Sequence, residues 1–299
     1  MLVSTENLTE QEWLAYRRRG IGGSDVAAIL GISPFRTARD LYDDKLNIAS
    51  AADDAGNWVA LEMGHLLEPL VARIFAKKTG LEVFQIKKMF QHPQYPFMLA
   101  DVDYFVRLPN GKISILEIKT TNYNAKDHWW KDGEECVPVY YETQGRHYMA
   151  VMDMDEIFYC CLYGNNEDEV IIRHLYRDRE YEQEMIYLER EFWHDHILTR
   201  IPPPYTEDGS LILESLRRRL GVADKTIPAI QLDNDLSVTM LRYLRLQEQK
   251  QQVETRVKTL DAEMQRLKGK WLPNWAAAAW RWGSMVVHST PSATTPSAG

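Results

Sequence analysis

The sequence contains little cysteine. Its three cysteines, Cys136, Cys160 and Cys161, are odd in number, and no Cys-x-x-Cys pair occurs. This composition argues against a disulfide framework, and it lacks the paired spacing of a structural zinc site. We therefore expect three reduced thiols with a packing role.

Long apolar runs are also missing. No stretch approaches the ~20 apolar residues that a membrane-spanning helix requires. The N-terminal segment, MLVSTENLTEQEW, has neither the basic start nor the apolar stretch of a secretory signal. We therefore expect a cytoplasmic protein that does not enter the membrane.

Positive charge is scarce as a bulk property. The 35 lysines and arginines are outnumbered by 43 aspartates and glutamates, which gives a formal net charge of −8. This balance argues against a protein that coats nucleic acid through bulk positive charge. Net charge does not locate the charges, however, and basic residues are concentrated at 17–19 and at Lys119, Lys126 and Lys131.

The chain is long enough for one large or two small domains. It has 299 residues, of which 45% are hydrophobic, as in ordinary globular proteins. Helical and strand periodicities predict one compact α/β unit over residues 1–205. Helices are expected at about 8–18, 24–30, 38–45, 59–78, 140–152 and 179–198. Strands are expected at 81–90, 97–108, 113–120, 157–163 and 169–176, with a hairpin turn at 108–111.

The remainder of the chain has a different pattern. After the prolines at 202–204, we interpret residues 206–235 as a linker and residues 236–270 as an amphipathic helix. Residues 271–299 contain an alanine run and the end STPSATTPSAG, which predict a disordered tail. The amphipathic helix has a short apolar seam, which suits either a coiled coil or one helix packed on the core. The seam consists of Val253, Val257, Leu260, Met264 and Leu267.

Two neighbouring strands combine acids with a lysine. Side chains alternate along a strand, so Asp101 and Asp103 share one face, and Glu117 and Lys119 share one face of the next strand. Charges on such apolar strands are costly unless a ligand satisfies them. Mg²⁺ would do so, with carboxylates and the backbone carbonyl of Ile118 as oxygen ligands and with bound water as the nucleophile. Lys119 would orient that water, assist its deprotonation or stabilise charge on phosphate. The alternative is an exposed edge hairpin with ordinary charged positions.

Two further segments carry candidate residues. Glu68 lies on a helix with a strongly apolar opposite face, directly before Pro69, and it could be a third carboxylate or a solvated helix charge. Ser24 at a helix start, near Arg17, offers a hydroxyl and free N–H groups for an anion. The alternative for Ser24 and Arg17 is a helix cap beside a solvated basic run.

Five blocks of the sequence occur together in the order and spacing of one nuclease family. They are GIGGSDVAAILGISPF, MGHLLEPLVARIFAKKTG, ADVDYFV, ILEIKTT and YYETQGRHYMAVM. Through them, the chain from about Trp13 to Tyr176 resembles the YqaJ-like viral recombinase nucleases, the phage lambda exonuclease group of the PD-(D/E)xK superfamily. Val102 replaces the proline that names the superfamily, and Tyr104 stands where glycine is common.

The resemblance implies a fold and a metal site. The fold is an α/β core of the restriction-endonuclease type, with a mixed central sheet flanked by helices, to which this chain adds a C-terminal helical extension. Glu68, Asp103 and Glu117 match the metal-site positions, and the backbone carbonyl of Ile118 completes the expected ligands. Lys119 matches the catalytic lysine.

The resemblance also implies how DNA is held. Gln144 matches the family glutamine that lies near the active site on the helix after the Glu-x-Lys strand. Arg17 and Ser24 match the residues that hold the 5′-phosphate of a DNA end. A hydroxyl residue that some relatives carry two positions before this serine is Gly22 here.

The implied activity is a Mg²⁺-dependent deoxyribonuclease, with Mn²⁺ as a substitute, that degrades one strand of duplex DNA from its 5′ end. The 3′ single-stranded tails would serve a RecT- or Beta-type annealing protein in phage or prophage recombination within a bacterial host. A ring-shaped homo-oligomer, a trimer, is also implied. The alternatives are a related endonuclease that cuts internally and a non-catalytic DNA-binding or scaffold subunit.

Overall fold

A computed structural model of the chain describes residues 3–48, 58–220 and 233–281. It divides into two compact units, Met1–Ala223 and Asp224–Gly299. None of the described helices is both long enough and apolar enough to cross a membrane. The α-helices of the first unit are α1 Glu10–Arg17, α2 Gly23–Ile29, α3 Ala38–Lys45, α4 Trp58–Thr79, α5 Val139–Met152, α6 Arg179–Glu191 and α7 Gly209–Leu220. A short 3₁₀ helix spans Lys126–Trp129, and a π-helix, Phe192–Leu198, continues α6.

The strands of the first unit form two mixed sheets and a small ribbon. The strands are β1 Val3–Ser4, β2 Ile21–Gly22, β3 Glu82–Phe84, β4 Lys88–Gln91, β5 Met98–Asp101, β6 Tyr104–Arg107, β7 Ile113–Thr120, β8 Trp130–Lys131, β9 Glu134–Glu135, β10 Glu156–Leu162 and β11 Val170–Tyr176. One sheet has the order β11-β10-β7-β6-β3, in which β10 runs parallel to β7. The other has the order β1-β4-β5-β2, in which β2 runs parallel to β5, and β8 pairs with β9.

Helices cover both faces of the five-stranded sheet. On one face, Val71 and Phe75 of α4 pack with Leu116 and Ile118 of β7. On the other face, β7 and β10 contribute to a larger core that includes buried residues of α5. The predicted α/β fold with mixed sheets flanked by helices is confirmed, and so is the hairpin between β6 and β7. Gly111 in its turn has φ of +81°, a conformation that glycine adopts without strain.

Two expected strands are each divided in the structure. The prediction of one strand over 97–108 is wrong, because β5 belongs to the four-stranded sheet and β6 to the five-stranded sheet. Similarly, residues 81–90 form β3 in one sheet and β4 in the other. The link between β5 and β6 consists of Val102 and Asp103. Acid and apolar side chains alternate through Asp101, Val102 and Asp103, which continues the pattern of a single strand, so the sequence does not reveal the link.

The C-terminal part is more helical than its composition indicates. Within the segment interpreted as a linker, α7 forms and its Ser215 donates a hydrogen bond of 2.6 Å to Asp40 of α3. The second unit contains α8, Asn234–Arg281, which extends beyond the expected helix into residues 271–281 of the expected tail. Residues 282–299 lie outside the described residues, and the domain boundaries stay a prediction.

Candidate active site

Strand β7 directs an acid and a lysine away from the face that packs on α4. Leu116 and Ile118 join the cluster formed with α4, whereas Ile115 lies in the core on the opposite side. Because strand side chains alternate, Glu117 and Lys119 point to the same side as Ile115. The shared face that the sequence predicts for this pair is thus present, and it is directed toward α5.

Glu117 is almost completely buried and is held through one of its two oxygens. Its Oε1 accepts hydrogen bonds from Lys119 Nζ at 2.7 Å and from Gln144 Nε2 at 2.6 Å. Its Oε2 is buried and accepts no hydrogen bond from any described residue. Burial raises the pKa of this carboxyl, although Lys119 opposes the rise. A buried carboxylate oxygen without a partner is costly unless a cation or another donor satisfies it.

Lys119 is fixed by three neighbours. Its Nζ donates to Glu117 and, at 3.0 Å, to Gln144 Oε1, and it lies 4.6 Å from the centre of the Tyr141 ring. Burial lowers the pKa of Lys119, but the carboxylates of Glu117 and Asp103 outweigh it, so the pKa is raised above the ordinary value. Lys119 is therefore a charged ammonium at neutral pH and a hydrogen-bond donor.

Asp103 lies in the link between the two sheets, close to β7. Its Oδ2 accepts a hydrogen bond of 2.9 Å from the backbone N–H of Ile118. Burial, followed by the nearby Glu117 carboxylate, raises the pKa of Asp103 to about 8. The hydrogen bond to Ile118 shows that the link brings Asp103 to the Glu-x-Lys strand.

Glu68 approaches the same acids from α4. Burial raises its pKa to about 7, and Asp103 is the next largest cause. Pro69 follows it within the helix, which continues through the proline to Thr79. Proline has no N–H, so the helix lacks one backbone hydrogen bond in this turn. Glu68 is half-buried rather than a solvated helix charge.

The acids are close to one another but do not form a closed ligand cage. Among the described parts of the chain, no group of three or more His, Cys, Asp or Glu side chains is arranged to hold a metal ion. One carboxylate oxygen of Glu117 and one of Asp103 already accept hydrogen bonds within the protein, which leaves fewer oxygens to surround an ion. The donor set nevertheless fits a hard divalent cation, because the unpartnered Glu117 Oε2 is an oxygen ligand in a site of excess negative charge. Burial and, after it, the neighbouring carboxylates raise the pKa values of Glu68 and Asp103.

Arg17 and Ser24 lie together, as the sequence predicts. Arg17 Nη2 donates to Ser24 Oγ at 2.8 Å, and Ser24 follows the first residue of α2. Arg17 also contacts Asp25 at 3.3 Å, and its guanidinium lies 4.8 Å from the centre of the Trp13 ring. About a quarter of the Arg17 side chain, 26%, remains exposed and is available to an anion.

Sequence reasoning missed the charge cluster behind this pair. Asp25 is fully buried and contacts three cations, Arg17, Arg36 and, at 2.6 Å, Lys45. Burial raises the pKa of Asp25, but the three cations together hold it far below the usual range. One acid therefore faces three cations, which leaves the pocket positively charged. The available signal was an acid directly after Ser24, which by itself is typical of a helix N-terminus.

A second missed pair joins the two halves of the site. Trp13 Nε1 donates a hydrogen bond of 2.6 Å to Asp101 Oδ2, and Asp101 ends strand β5. Burial raises the pKa of Asp101. The sequence placed Asp101 beside Asp103 on one face, but gave no signal that α1 would supply its donor.

One cavity connects the anion pocket with the acids. It has a volume of about 460 Å³, and Arg17 and Ser24 line it together with Glu68 and Asp103. Tyr148 of α5 also lines it, and Gln144 donates to the Tyr148 hydroxyl at 3.3 Å. Glu117, Lys119 and Gln144 are not among its lining residues and lie behind it, in contact with one another.

Comparisons with known proteins agree with this architecture. The family model of the YqaJ-like viral recombinase domain matches residues 12–155. The uncharacterized protein YqaJ of Bacillus subtilis (strain 168) is 32% identical over 267 residues, which cover 88% of this chain and 80% of that protein.

Solved structures share the fold. The alkaline exonuclease LHK-Exo from Laribacter hongkongensis superposes with a TM-score of 0.52 and 19% identity, covering 70% of this chain and 97% of its own. The same values hold for LHK-Exo in complex with dAMP. These matches confirm the resemblance seen in the sequence blocks, and the chain belongs to the YqaJ-like viral recombinase family.

Proposed function

We propose that the protein is a divalent-metal-dependent deoxyribonuclease that degrades duplex DNA from 5′ ends and leaves 3′ single-stranded tails. The observation that carries this proposal is the single cavity in which Arg17 and Ser24 meet Glu68 and Asp103. A cationic, hydroxyl-bearing pocket beside a group of acids suits a nucleic-acid end, since phosphate and divalent cation can be bound side by side. Membership of a viral recombinase family supports a role in phage-type homologous recombination.

Arg17 and Ser24 would bind the terminal 5′-phosphate. A guanidinium forms strong charge-assisted hydrogen bonds with phosphate oxygens, and the Ser24 hydroxyl adds a donor. Asp25 neutralises only part of the surrounding charge and, through its ion pair, fixes the position of Arg17. End-dependence is part of this proposal, because a terminal phosphate bound here would place the next linkage by the acids.

Glu68, Asp103 and Glu117, with the backbone carbonyl of Ile118, would hold Mg²⁺, and Mn²⁺ would be accepted as a substitute. A divalent ion in such a site supplies Lewis acidity and neutralises charge on the phosphodiester. Burial, and then the neighbouring carboxylates, raise the pKa values of Glu68 and Asp103, so their ionised forms are costly without a cation. Cation binding would therefore also favour their ionised forms.

Lys119 would stabilise negative charge on the phosphate during hydrolysis. Because its pKa is raised, it is protonated at neutral pH and acts as a donor rather than as a general base. Gln144 holds both Lys119 and Glu117, so it would fix the distance between the ammonium and the acids. These two hydrogen bonds would make Gln144 a positioning residue for Lys119 and Glu117.

A second protein would use the tails produced by this reaction. A single-strand annealing protein of the RecT or Beta type would act on them in a bacterial host that carries the phage or prophage. The proposed location is the cytoplasm. A homo-oligomeric, trimeric ring around the DNA would keep the enzyme on one strand between cleavages.

A strand-specific digestion assay tests the proposal. Linear duplex DNA labelled separately at each end is incubated with the protein, with and without Mg²⁺. We expect metal-dependent loss of the 5′-phosphorylated strand and persistence of 3′ tails. Covalently closed circles should survive, and their efficient cutting would show an endonuclease instead.

Matched variants assign the activity to the site. Asp103→Asn and Lys119→Ala should each abolish digestion, whereas Lys112→Ala should not, since Lys112 is an exposed lysine of the same hairpin paired with Asp155. Arg17→Gln should reduce the preference for 5′-phosphate over 5′-hydroxyl ends. An inert wild-type protein would favour a non-catalytic DNA-binding or scaffold subunit.

A further inference from the structure

Helix α8 carries a long, exposed apolar stripe. Its side chains are between 47% and 62% exposed, although they are large and apolar. Exposed apolar stripes of this length mark interaction surfaces. We call these residues the α8 seam: Val253, Val257, Leu260, Met264, Leu267 and Trp271.

The spacing of the α8 seam is that of a coiled coil. Successive members are four, three, four, three and four residues apart. This repeat of seven keeps the stripe on one side of a helix that supercoils around another helix. In heptad letters, Val257, Met264 and Trp271 occupy a, and Val253, Leu260 and Leu267 occupy d.

Charges beside the α8 seam specify what pairs with it. Arg256 and Glu263 fall on g positions, and Asp261 and Lys268 fall on e positions, all exposed. In a parallel coiled coil, each g residue faces the e residue five positions later in the other helix. Here Arg256 would face Asp261 and Glu263 would face Lys268, so two identical helices are complementary at both places.

We propose that α8 forms a parallel, in-register coiled coil with α8 of a second copy of this chain. Both complementary contacts occur twice in the pair because the two helices are identical. The antiparallel alignment that superposes the α8 seam on itself would instead oppose Glu263 to Glu263 and Asp261 to Asp261. Like charges in these positions are destabilising, so orientation as well as partner is specified.

One residue at an a position helps to fix the register of the α8 seam. Lys250, one heptad before Val257, puts a charged residue at an a position. One polar a residue lowers the stability of a coiled coil but specifies its register.

Cysteine cross-linking of the full chain tests the alignment. In a parallel in-register pair, the two Leu260 positions face each other, so Leu260→Cys should form a disulfide-linked dimer under mild oxidation. Ala262→Cys, on the outer f position of the same turn, should cross-link much less. The wild-type chain measures any background from Cys136, which is half-buried. Equal cross-linking of the two variants would contradict the proposal.

Charge exchange tests the partner. The full-length variants Arg256→Asp and Asp261→Arg each place like charges opposite each other in a homotypic pair, and each should associate about tenfold more weakly in sedimentation equilibrium. A mixture of the two variants restores opposite charges at both contacts and should associate like wild type. The double variant Arg256→Asp/Asp261→Arg should also recover.

These substitutions change exposed positions, so the fold should persist, as helix content by circular dichroism will check. Loss of association in the single variants without recovery in the mixture would overturn the proposal. Wild-type association unaffected by any of these changes would overturn it as well, because the contact would then not involve α8. Neither measurement depends on nuclease activity.

Discussion

At the scale of single residues, the position of the Lys119 ammonium depends on an aromatic ring as well as on acids. Tyr141 lies beneath it at 4.6 Å, and the Tyr141 backbone carbonyl is itself held by the Tyr159 hydroxyl at 2.9 Å. A cation over a buried aromatic face gains about 0.5–2 kcal/mol. Tyr141 is therefore a positioning residue for Lys119.

We expect Tyr141→Leu to lower kcat about tenfold with little change in KM, because an interaction of this size is lost while DNA binding is untouched. Tyr141→Phe should stay close to wild type, since it retains the ring. Steady-state digestion of 5′-phosphorylated duplex measures both. Equal losses in the two variants would show that the hydroxyl, rather than the ring, acts on Lys119.

Asp25 gives a second prediction, on stability and pH. The pKa of Asp25 is lower in the folded state than in the unfolded state, where it is about 3.8. The ionised carboxylate therefore contributes fully to the free energy of unfolding above about pH 3.8, and this contribution is lost as the pH falls from there toward the folded pKa. Asp25→Asn should cost about 3–5 kcal/mol at pH 7, because three cations lose a buried partner. This penalty should shrink in acid, which urea unfolding from pH 7 to pH 3 measures.

Asp44→Asn is the matched control for that experiment. Asp44 pairs with Arg18 at 3.2 Å in a more exposed position, so its loss should cost less than about 1 kcal/mol. A pH-independent penalty for Asp25→Asn would mean that Asp25 acts through packing and hydrogen bonding rather than through its charge.

Side-chain alternation was sufficient to predict the Glu117 and Lys119 pair, because a strand has only two faces. The cluster around Asp25 could not be predicted in this way. Its cations come from α1, α3 and the loop before α3, and their convergence depends on tertiary packing. A sequence pattern reports neighbours within one element, whereas this cluster joins several.

At the scale of elements, α5 is packed so closely on β10 that one position tolerates no side chain. A Cβ at Gly145 would collide with the Tyr159 hydroxyl and lie 2.8 Å from Ile157 Cδ1. Gly145 lies within helix α5 and not in a turn. Its role is therefore close approach rather than unusual backbone geometry.

We expect Gly145→Ala to destabilise the protein by about 1–3 kcal/mol, as overpacking of a core does. Gly64→Ala is the matched helical control, because a Cβ there would meet Thr120 Oγ1 at an ordinary 3.6 Å. That change should stabilise α4 by up to about 1 kcal/mol through helix propensity. Thermal or urea unfolding compares the two, and equal effects would contradict the close approach.

The order of helices and strands was largely predictable, since periodicity changes clearly from α4 to the strands that follow. Sheet membership was not. Residues 97–108 have the pattern of one strand, and the division at Val102 and Asp103 follows from the pairing of β5 with β4 and of β6 with β7. Pairing between distant strands leaves no local signal in a strand that is buried throughout.

At the scale of the whole molecule, the catalytic candidates and the α8 seam belong to different compact units. Both hydrophobic core clusters lie entirely within the first unit, between Ile21 and Ile197. The net charge of −8 likewise conceals a local difference, since the pocket at Arg17 has three cations around one acid. The net charge thus indicates the sign of the charge on the molecule as a whole but not the sign of the charge in this pocket.

We expect a chain that ends at Ala223 to fold and to retain end-specific digestion, because its core is complete. Its unfolding midpoint should lie within about 3 °C of the full chain, a shift equivalent to about 1 kcal/mol. Self-association through the α8 seam should be lost. A truncated chain that unfolds at a much lower temperature would show that the second unit contributes to the stability of the first.

The short link between the two sheets constrains how this protein can change in length. Asp103 is one of only two residues between β5 and β6, so one inserted residue would rotate or displace its carboxylate relative to Ile118. The β6–β7 turn is different, because Gly111 has open space around it. Over evolutionary time, we therefore expect insertions and deletions to accumulate in that turn and to be eliminated from the link.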